Sequence, residues 1–265
     1  MVAPTVLLVF VSAMLIDTHC HLDGEPLASQ LPELLAEAHA CGIGQWVVPA
    51  IRPAGWQGIM ELCRRFPAAL PTVGIHPLAC AEATVDDLAL LDQLAPQVVA
   101  IGEIGLDRQA ADLAGQEACF REQLRMARRH GLPVLIHCRG AIGRTLTILQ
   151  EERAEQIGGI MHAFSGSLES AREFVRLGFA ISLTATITYQ GAVRPLRLAR
   201  ELPLSQLVLE SDAPDLSPQA HRGSFNRPAW LVETARALAA LKQVSLDDLA
   251  AATTATARAA LRLHG

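Results

Sequence analysis

The chain of 265 residues has few aromatic side chains and almost no lysine. Phe, Trp and Tyr make up 4% of it, Tyr189 is the only tyrosine, and Lys242 is the only lysine. Because 51% of the residues are nonetheless hydrophobic, we expect a sizeable core of aliphatic side chains. The formal net charge of −5 excludes the broad basic face of a duplex-coating protein. Small anions and nucleic-acid ends need only a few arginines and remain possible partners.

The sequence also lacks a disulfide framework and a membrane-spanning segment. None of the six cysteines belongs to a Cys-x-x-Cys pair, which predicts reduced thiols and a cytoplasmic location. The apolar stretch 2–13 is too short to cross about 30 Å of hydrocarbon, and it has no basic start or convincing cleavage site. We interpret residues 1–13 as an extension outside the fold and residues 14–265 as one domain. A short export signal is the alternative, and no obligatory protein partner is indicated.

Apolar, β-rich segments alternate with amphipathic segments from Met14 to the end of the chain. Most strand candidates are continuous apolar runs, which is typical of parallel strands buried on both faces. The predicted strands are Met14–Asp17, Gln45–Ala50, Pro71–His76, Val98–Glu103, Pro133–Cys138, Gly159–Ala163, Gly178–Leu183 and Leu207–Asp212. The predicted helices are Leu27–Cys41, Gly55–Phe66, Val85–Leu94, Gln116–His130, Ile142–Glu152, Leu168–Leu177, Val193–Glu201, Pro228–Leu241 and Ser245–Leu263. Eight such units predict a single (β/α)8 TIM barrel, a fold of about 250 residues.

Deleting residues 1–13 is expected to leave stability and activity nearly unchanged, because the barrel is predicted to begin at Met14. Thermal unfolding and hydrolysis assays on the truncated and full-length proteins would check this. Loss of folding on truncation would show instead that the segment packs against the barrel.

Two histidines at positions i and i+2 follow the first predicted strand, in the sequence Asp17-Thr18-His19-Cys20-His21. On a strand, such residues point to the same face, so both imidazoles can reach one point in space. Imidazole is the commonest side-chain ligand of first-row divalent metals. His19 and His21 are therefore candidate metal ligands, although a lone His-x-His motif is weak by itself.

Four further candidate ligands end predicted strands: Glu103, His137, His162 and Asp212. In a TIM barrel, the carboxyl ends of the strands converge on one mouth. One histidine after a strand commonly caps a loop, but four histidines and two acids at the same end predict a metal site. Three nitrogens and one carboxylate would satisfy a single zinc ion, whereas six ligands suit two cations about 3.5–4 Å apart. Because such cations activate water, the predicted reaction is metal-assisted hydrolysis.

The motifs that carry these residues resemble those of the TatD family of metal-dependent hydrolases, within the amidohydrolase superfamily. The matching segments are 16–22, 74–77, 102–107, 135–139, 162–166, 209–214 and 222–228, in the family's order. The resemblance implies a (β/α)8 barrel with two divalent cations (Zn, Mg or Mn), and several family members are deoxyribonucleases. It implies one cation on His19, His21 and Asp212, another on His137 and His162, and Glu103 bridging them. It also implies catalytic roles for Glu103 and for Asp212, which would accept a proton from the attacking water.

The chain departs from the family pattern at four positions near the predicted pocket rim. It has Leu78, Gly140, Ala163 and Arg227 where the family often has His, an acid, Cys and Glu, respectively. None of these departures removes a candidate metal ligand. Because they concern the rim, they bear on substrate preference. The pattern resembles a less-characterised subgroup more closely than the best-known nucleases.

We predict that the protein is a phosphodiesterase and that its substrates are DNA ends or other small anions. Candidate substrate-binding residues are His76, Arg139, Arg222 and Asn226. Arg139 lies two residues after His137, so it can face the same mouth and pair with a phosphate in a bidentate manner. One alternative is a hydrolase of a small amide, ester or lactone. A non-catalytic metal-binding barrel is a second alternative, which the complete ligand set disfavours.

Overall fold

The computed structural model describes residues 14–263, and within them eight parallel strands pair in chain order, β1 to β8. The strands are β1 Leu15–Asp17, β2 Ile43–Val48, β3 Ala69–Val73, β4 Ala100–Asp107, β5 Val134–Arg139, β6 Gly159–Met161, β7 Phe179–Leu183 and β8 Leu207–Leu209. Backbone hydrogen bonds just past the ends of β1 and β8, from Thr18 N–H to Leu209 O (3.1 Å) and from Asp212 N–H to His19 O (2.9 Å), join the first strand to the last. The predicted TIM barrel is confirmed. The interpretation of residues 1–13 concerns residues outside the described range.

In the described range, the first seven helices each lie between two successive strands and pack on the outside of the sheet, and the last two follow β8. In the described range they are α1 Leu31–Ala40, α2 Trp56–Arg65, α3 Val85–Leu94, α4 Leu113–His130, α5 Ile142–Glu151, α6 Leu168–Arg176, α7 Arg194–Glu201, α8 Leu231–Lys242 and α9 Leu246–Ala260. Short 3-10 turns occur at Ala28–Gln30, Pro53–Gly55, Pro77–Ala79, Ala95–Gln97, Ala154–Gln156, Ala185–Thr188, Leu204–Gln206, Gln219–His221 and Pro228–Trp230. Within residues 14–263, no helix is long and apolar enough to span a bilayer.

The barrel interior is filled with small and branched aliphatic side chains. Seven strands, α9 and the residue directly after α9 contribute to this cluster: Ile16, Val47, Ala100, Leu135, Ile160, Ala180, Val208, Ala257 and Leu261. Helix α9 also bonds the start of β1, where Thr254 Oγ1 donates to Met14 O at 3.0 Å. Since α9 thereby covers the amino-terminal end of the barrel, a substrate can approach from the carboxyl-terminal mouth.

Strand β4 extends beyond its predicted end. The prediction that Glu103 ends this strand is wrong, because pairing with β5 continues from Ile104 to Asp107. The register shifts between Ile101 and Ile104, and an irregularity of this kind re-aims a side chain. Glu103 therefore lies inside the strand, at the irregular point, with its carboxylate in the barrel mouth.

A half-buried ion-pair network on the outer surface joins α4 to the end of α5. The Glu152 carboxylate lies 2.9 Å from Arg121 Nη1 and 2.8 Å from Arg125 Nη2. Burial raises the pKa of Glu152, but hydrogen bonds from Arg125 and Arg121 outweigh it and hold the pKa below its ordinary value. This carboxylate should therefore stabilise the folded state in its charged form.

Glu152→Gln is expected to lower the free energy of unfolding by about 1–3 kcal/mol at neutral pH. Because the folded-state pKa is lowered, the stabilisation is present above the ordinary pKa of 4.5 and is lost as the pH falls through the folded-state value. Denaturant unfolding of both proteins at several pH values would check this, with the difference vanishing in acid. Glu61→Gln, in an exposed pair with Arg64, is the control and should change stability far less, because solvent screens an exposed ion pair. A pH-independent difference would contradict the assignment.

Candidate metal centre

The structure brings all six predicted ligands together at the mouth of the barrel. Glu103 is central: one oxygen lies 3.3 Å from His19 Nε2, and the other lies 2.8 Å from His137 Nδ1 and 3.8 Å from His162 Nε2. Asp212 Oδ1 lies 3.6 Å from His162 Nε2 and 3.8 Å from the Nε2 atoms of His19 and of His21. Two carboxylates thus contact histidines from three different strand ends.

The buried carboxylate of Asp17 links the loop after β1 to the loop after β8, and both loops carry predicted ligands. Asp17 Oδ1 accepts hydrogen bonds from Ser211 N–H at 2.9 Å and from His19 N–H at 3.3 Å. It therefore sets the loop of the first histidines against the loop of Asp212. Burial raises the pKa of Asp17 to about 7, against the lowering effect of these hydrogen bonds. Sequence reasoning missed this role, although an acid at the end of an apolar strand was a signal for it.

The residues present fit a divalent cation. His19 is fully buried, and among the described residues neither of its ring nitrogens has a hydrogen-bond partner. Burial lowers the pKa of His19 to about 3, so its imidazole is neutral and keeps a lone pair for a metal. Unpartnered buried nitrogens are costly, and a metal bond would satisfy one of them. Imidazole nitrogens and carboxylate oxygens are also the donors that zinc and related metals accept.

The neighbouring acids of the cluster favour the binding of a cation. Burial raises the pKa of Asp212 to about 8, and nearby negative charges on Glu210 and Glu103 act in the same direction. Burial lowers the pKa of His162, but Glu210, Asp212 and Glu103 outweigh it and raise the pKa to about 10. Burial also opposes ionisation of Glu103, yet His162 and His19 hold its pKa well below the ordinary value. Three acids in one buried cluster repel each other, and a cation relieves that repulsion.

The ligand atoms form overlapping groups in which three side chains could hold one metal ion. The groups are His19 with His162 and Asp212, His19 with His21 and Glu103, and His76 with Glu103 and His137, with all ligand atoms in a group within 4.8 Å of one another. The family resemblance divides the six predicted ligands between two cations in a different way. Of the three groups, only the last contains a residue outside those six, His76.

The His76 ring is set up as a hydrogen-bond donor toward the mouth. Its Nδ1 accepts the Leu78 N–H at 3.1 Å, so in the neutral ring the proton is on Nε2. This Nε2 lies 3.6 Å from Glu103 Oε1, and a protonated nitrogen does not bind a metal. Despite its proximity to Glu103 and His137, His76 is therefore better suited to donate to an anionic substrate.

A cavity of about 560 Å³ opens above the cluster, and it includes some of the predicted substrate-binding residues but not others. His76 and Arg139 line it, whereas Arg222 and Asn226 do not. Asn226 is buried: its Nδ2 donates to Ser211 O at 2.7 Å, so its amide holds the loop after β8. The Arg222 guanidinium lies over the Tyr189 ring, 4.5 Å from the centroid.

Residues 16–262 match the family described as TatD related DNase. The chain belongs to the TatD family. It is 35% identical over 257 residues to YabD of Bacillus subtilis, named an uncharacterized metal-dependent hydrolase, with 95% of this chain and 100% of the relative covered. The Escherichia coli protein YjjV, with the same description, is 33% identical over 243 residues, which cover 89% of this chain and 93% of the relative.

The crystal structure of the Escherichia coli TatD homologue YjjV matches the described fold with a TM-score of 0.89 at 32% identity, covering 94% of this chain and 98% of that one. An organophosphorus hydrolase variant from Deinococcus radiodurans, at 14% identity and a TM-score of 0.65, covers 95% of this chain and 93% of that one and shares the fold alone. The protein is thus a metal-dependent hydrolase of the TatD family, and the predicted family, fold and reaction class are confirmed.

Two of the four departures from the TatD pattern border the cavity. Leu78 and Ala163 line it, whereas Gly140 and Arg227 are not in its wall. Leu78 is also 59% exposed. An apolar side chain therefore lies at the entrance, at a position where the family often has histidine. This replacement changes what the rim of the cavity offers to a substrate.

Two acids next to the ligand histidines were not identified from the sequence of this TatD protein. Asp107 Oδ2 lies 3.1 Å from His137 Nε2, and Glu210 Oε1 lies 2.9 Å from His162 Nδ1. Both acids occur in segments already singled out, four residues after Glu103 and two before Asp212. That proximity was a usable signal, but sequence alone does not say which acid binds a metal and which supports a ligand.

Proposed function

We propose that the protein is a phosphodiesterase with two divalent cations, and that it acts on DNA ends or related small phosphate esters. The observation that carries this proposal is the cluster of four histidines and two acids around Glu103, at the base of a cavity whose wall includes His76 and Arg139. In this proposal His19, His21 and Asp212 would hold one cation, His137 and His162 would hold the other, and Glu103 would serve both. Bound cations would supply a water of lowered pKa and neutralise charge on the ester.

Asp212 is the residue that we assign to proton transfer. Its Oδ1 lies among three histidine Nε2 atoms, and its side chain is 13% exposed toward the mouth. A carboxylate at this position can accept a proton from an attacking water and return it to the leaving oxygen. Asp212 therefore combines ligand and general-base positions in one side chain.

His76 and Arg139 are the residues that we assign to the substrate's phosphate. The neutral ring of His76 carries its proton on Nε2, which faces the cluster. This N–H can donate to a non-bridging oxygen of the phosphate. Arg139 is exposed at the end of β5, in the cavity wall, and its planar guanidinium can bind two phosphate oxygens at once. Both groups favour an anionic substrate over a neutral amide or lactone.

A cytoplasmic location is part of the same proposal. All six cysteines are free thiols, which suits a reducing compartment.

The test is turnover by the metal-reconstituted protein on a panel of substrates. The panel contains single-stranded DNA, duplex DNA, RNA, lactones and acylated amino acids, each with zinc, manganese or magnesium. Phosphodiester cleavage should dominate. Dominant turnover of lactones or acylated amino acids, with no phosphodiester cleavage, would overturn the proposal in favour of a small-molecule amide, ester or lactone hydrolase.

The matched pair Arg139→Ala and Arg222→Ala sharpens this test. Loss of a charge-assisted hydrogen bond costs about 1.5–3 kcal/mol, so Arg139→Ala should raise KM for a phosphodiester by roughly 10–100-fold. Arg222→Ala, which removes an arginine outside the cavity wall, should have a much smaller effect.

A further inference from the structure

Two histidines of the cluster each have a buried carboxylate behind the ring, and the two rings use different nitrogens. His137 presents Nε2 to Asp107 Oδ2 at 3.1 Å, and His162 presents Nδ1 to Glu210 Oε1 at 2.9 Å. Asp107 is 3% exposed and Glu210 is fully buried. Neither acid belongs to the proposed ligand set, so their position needs a separate explanation.

The position of the ring proton follows from these contacts. A neutral imidazole that binds a metal gives its one lone pair to the cation and keeps its one N–H on the other nitrogen. The nitrogen of each ring that faces Glu103, a proposed ligand, would be on the cation side, so the N–H would face the carboxylate outside the ligand set. Asp107 therefore leaves the lone pair of His137 on Nδ1, and Glu210 leaves the lone pair of His162 on Nε2. These are the atoms that lie 2.8 Å and 3.8 Å from the same oxygen of Glu103. Both lone pairs thus point to one place.

The two carboxylates are themselves held in place. Asp107 Oδ1 accepts the Gln109 N–H at 2.7 Å, which leaves Oδ2 for His137. Glu210 Oε1 also accepts the Ala163 N–H at 2.6 Å. Ala163 follows His162 directly and has a φ of 40°, in a region that residues other than glycine rarely adopt. Glu210 thus fixes both the ring and the backbone of the histidine segment.

We propose that Asp107 and Glu210 are positioning residues that set His137 and His162 in opposite tautomers. Nδ1 of His137 and Nε2 of His162 are then the atoms that bind one cation. The inference rests on the proposed metal centre and extends it to two residues outside the ligand set. Within residues 14–263, by contrast, the carboxylates that contact the His19 ring are those of Glu103 and Asp212, which belong to the proposed ligand set, so the two cation sites differ in how their histidines are supported.

The first test is zinc titration of the metal-free protein by calorimetry against a competing chelator. Loss of an orienting partner of a ligand histidine typically lowers metal affinity by about 10–100-fold. Asp107→Asn and Glu210→Gln should each weaken one of the two zinc sites by that factor and leave the other near wild type. Glu152→Gln is the control, because it removes a paired acid far from the mouth and should leave both zinc affinities unchanged.

The second test reads the tautomers directly in the wild-type protein, so it does not depend on the folding of any variant. Nitrogen-15 spectra of histidine-labelled, zinc-loaded protein should show one ring bound through Nδ1 with Nε2 protonated, and another with the reverse pattern. Identical tautomers for His137 and His162 would overturn the inference. So would wild-type zinc affinity at both sites in Asp107→Asn and Glu210→Gln, while the wild type binds two zinc ions. A wild type that binds no zinc would instead reject the proposed metal centre, and the inference with it.

Discussion

Asp212→Asn is expected to lower the turnover of the fully metallated enzyme by at least about 100-fold, while substrate binding survives. Asparagine keeps the shape and one oxygen of the side chain, but it cannot accept a proton at neutral pH. The loss should therefore appear in kcat rather than in KM. Single-turnover rates measured together with metal content would establish this.

The matched control for this prediction is Asp215→Asn. Asp215 also lines the cavity, but it belongs to none of the three groups of potential metal ligands found in the described residues. Its substitution should cost far less than that of Asp212. Wild-type turnover in a fully metallated Asp212→Asn protein would reject the general-base role. Lower stability with normal turnover per folded molecule would show instead that Asp212 only supports its loop.

Glu103→Gln is expected to abolish hydrolysis and to lower the metal content from two cations per chain to one or fewer. The reason is its central position, since its two oxygens face His19 on one side and His137 on the other. The substitution removes the charge that both proposed sites share. Elemental analysis after reconstitution and dialysis would measure the loss.

Thermal unfolding provides an independent measure of the same prediction. A ligand that binds only the folded state at 100 times its Kd adds about 2.7 kcal/mol of stability. Zinc should therefore raise the Tm of the wild type and of Glu152→Gln by similar amounts, and should raise the Tm of Glu103→Gln by less. Retention of two cations and of wild-type activity by Glu103→Gln would remove Glu103 from the centre of the site.

The barrel could be predicted from sequence because parallel strands buried on both faces are continuous apolar runs, and these are easily found. The strand ends were harder. The sixth and eighth strands were predicted to reach Ala163 and Asp212, but they end at Met161 and Leu209. Ala163 and Asp212 have φ values of 40° and 57°, outside the β region, so the backbone leaves the sheet before them. Sequence periodicity does not report this local conformation.

The proximity of the six candidate ligands could be predicted from sequence, because the barrel topology alone determines it. Because the strands are parallel and adjacent in order, their carboxyl ends meet, and the six candidate ligands had to be near each other. Loop side chains are not constrained in this way. Asn226 was predicted to contact substrate, yet in the fold its amide bonds the backbone of its own loop. The supporting roles of Asp17, Asp107 and Glu210 depend on hydrogen bonds between distant segments, which no local pattern specifies.

A crystal structure of the zinc- or manganese-reconstituted protein, with anomalous diffraction recorded at the metal edge, would show whether the cluster binds two cations. We expect two peaks about 3.5–4 Å apart, with the oxygens of Glu103 in contact with both. For zinc, the nitrogens of His19, His21, His137 and His162 and the oxygens of Asp212 and Glu103 should lie about 2.0–2.2 Å from a peak. The absence of any peak in this cluster after reconstitution, or metal bound only elsewhere on the chain, would contradict a two-cation site at the barrel mouth.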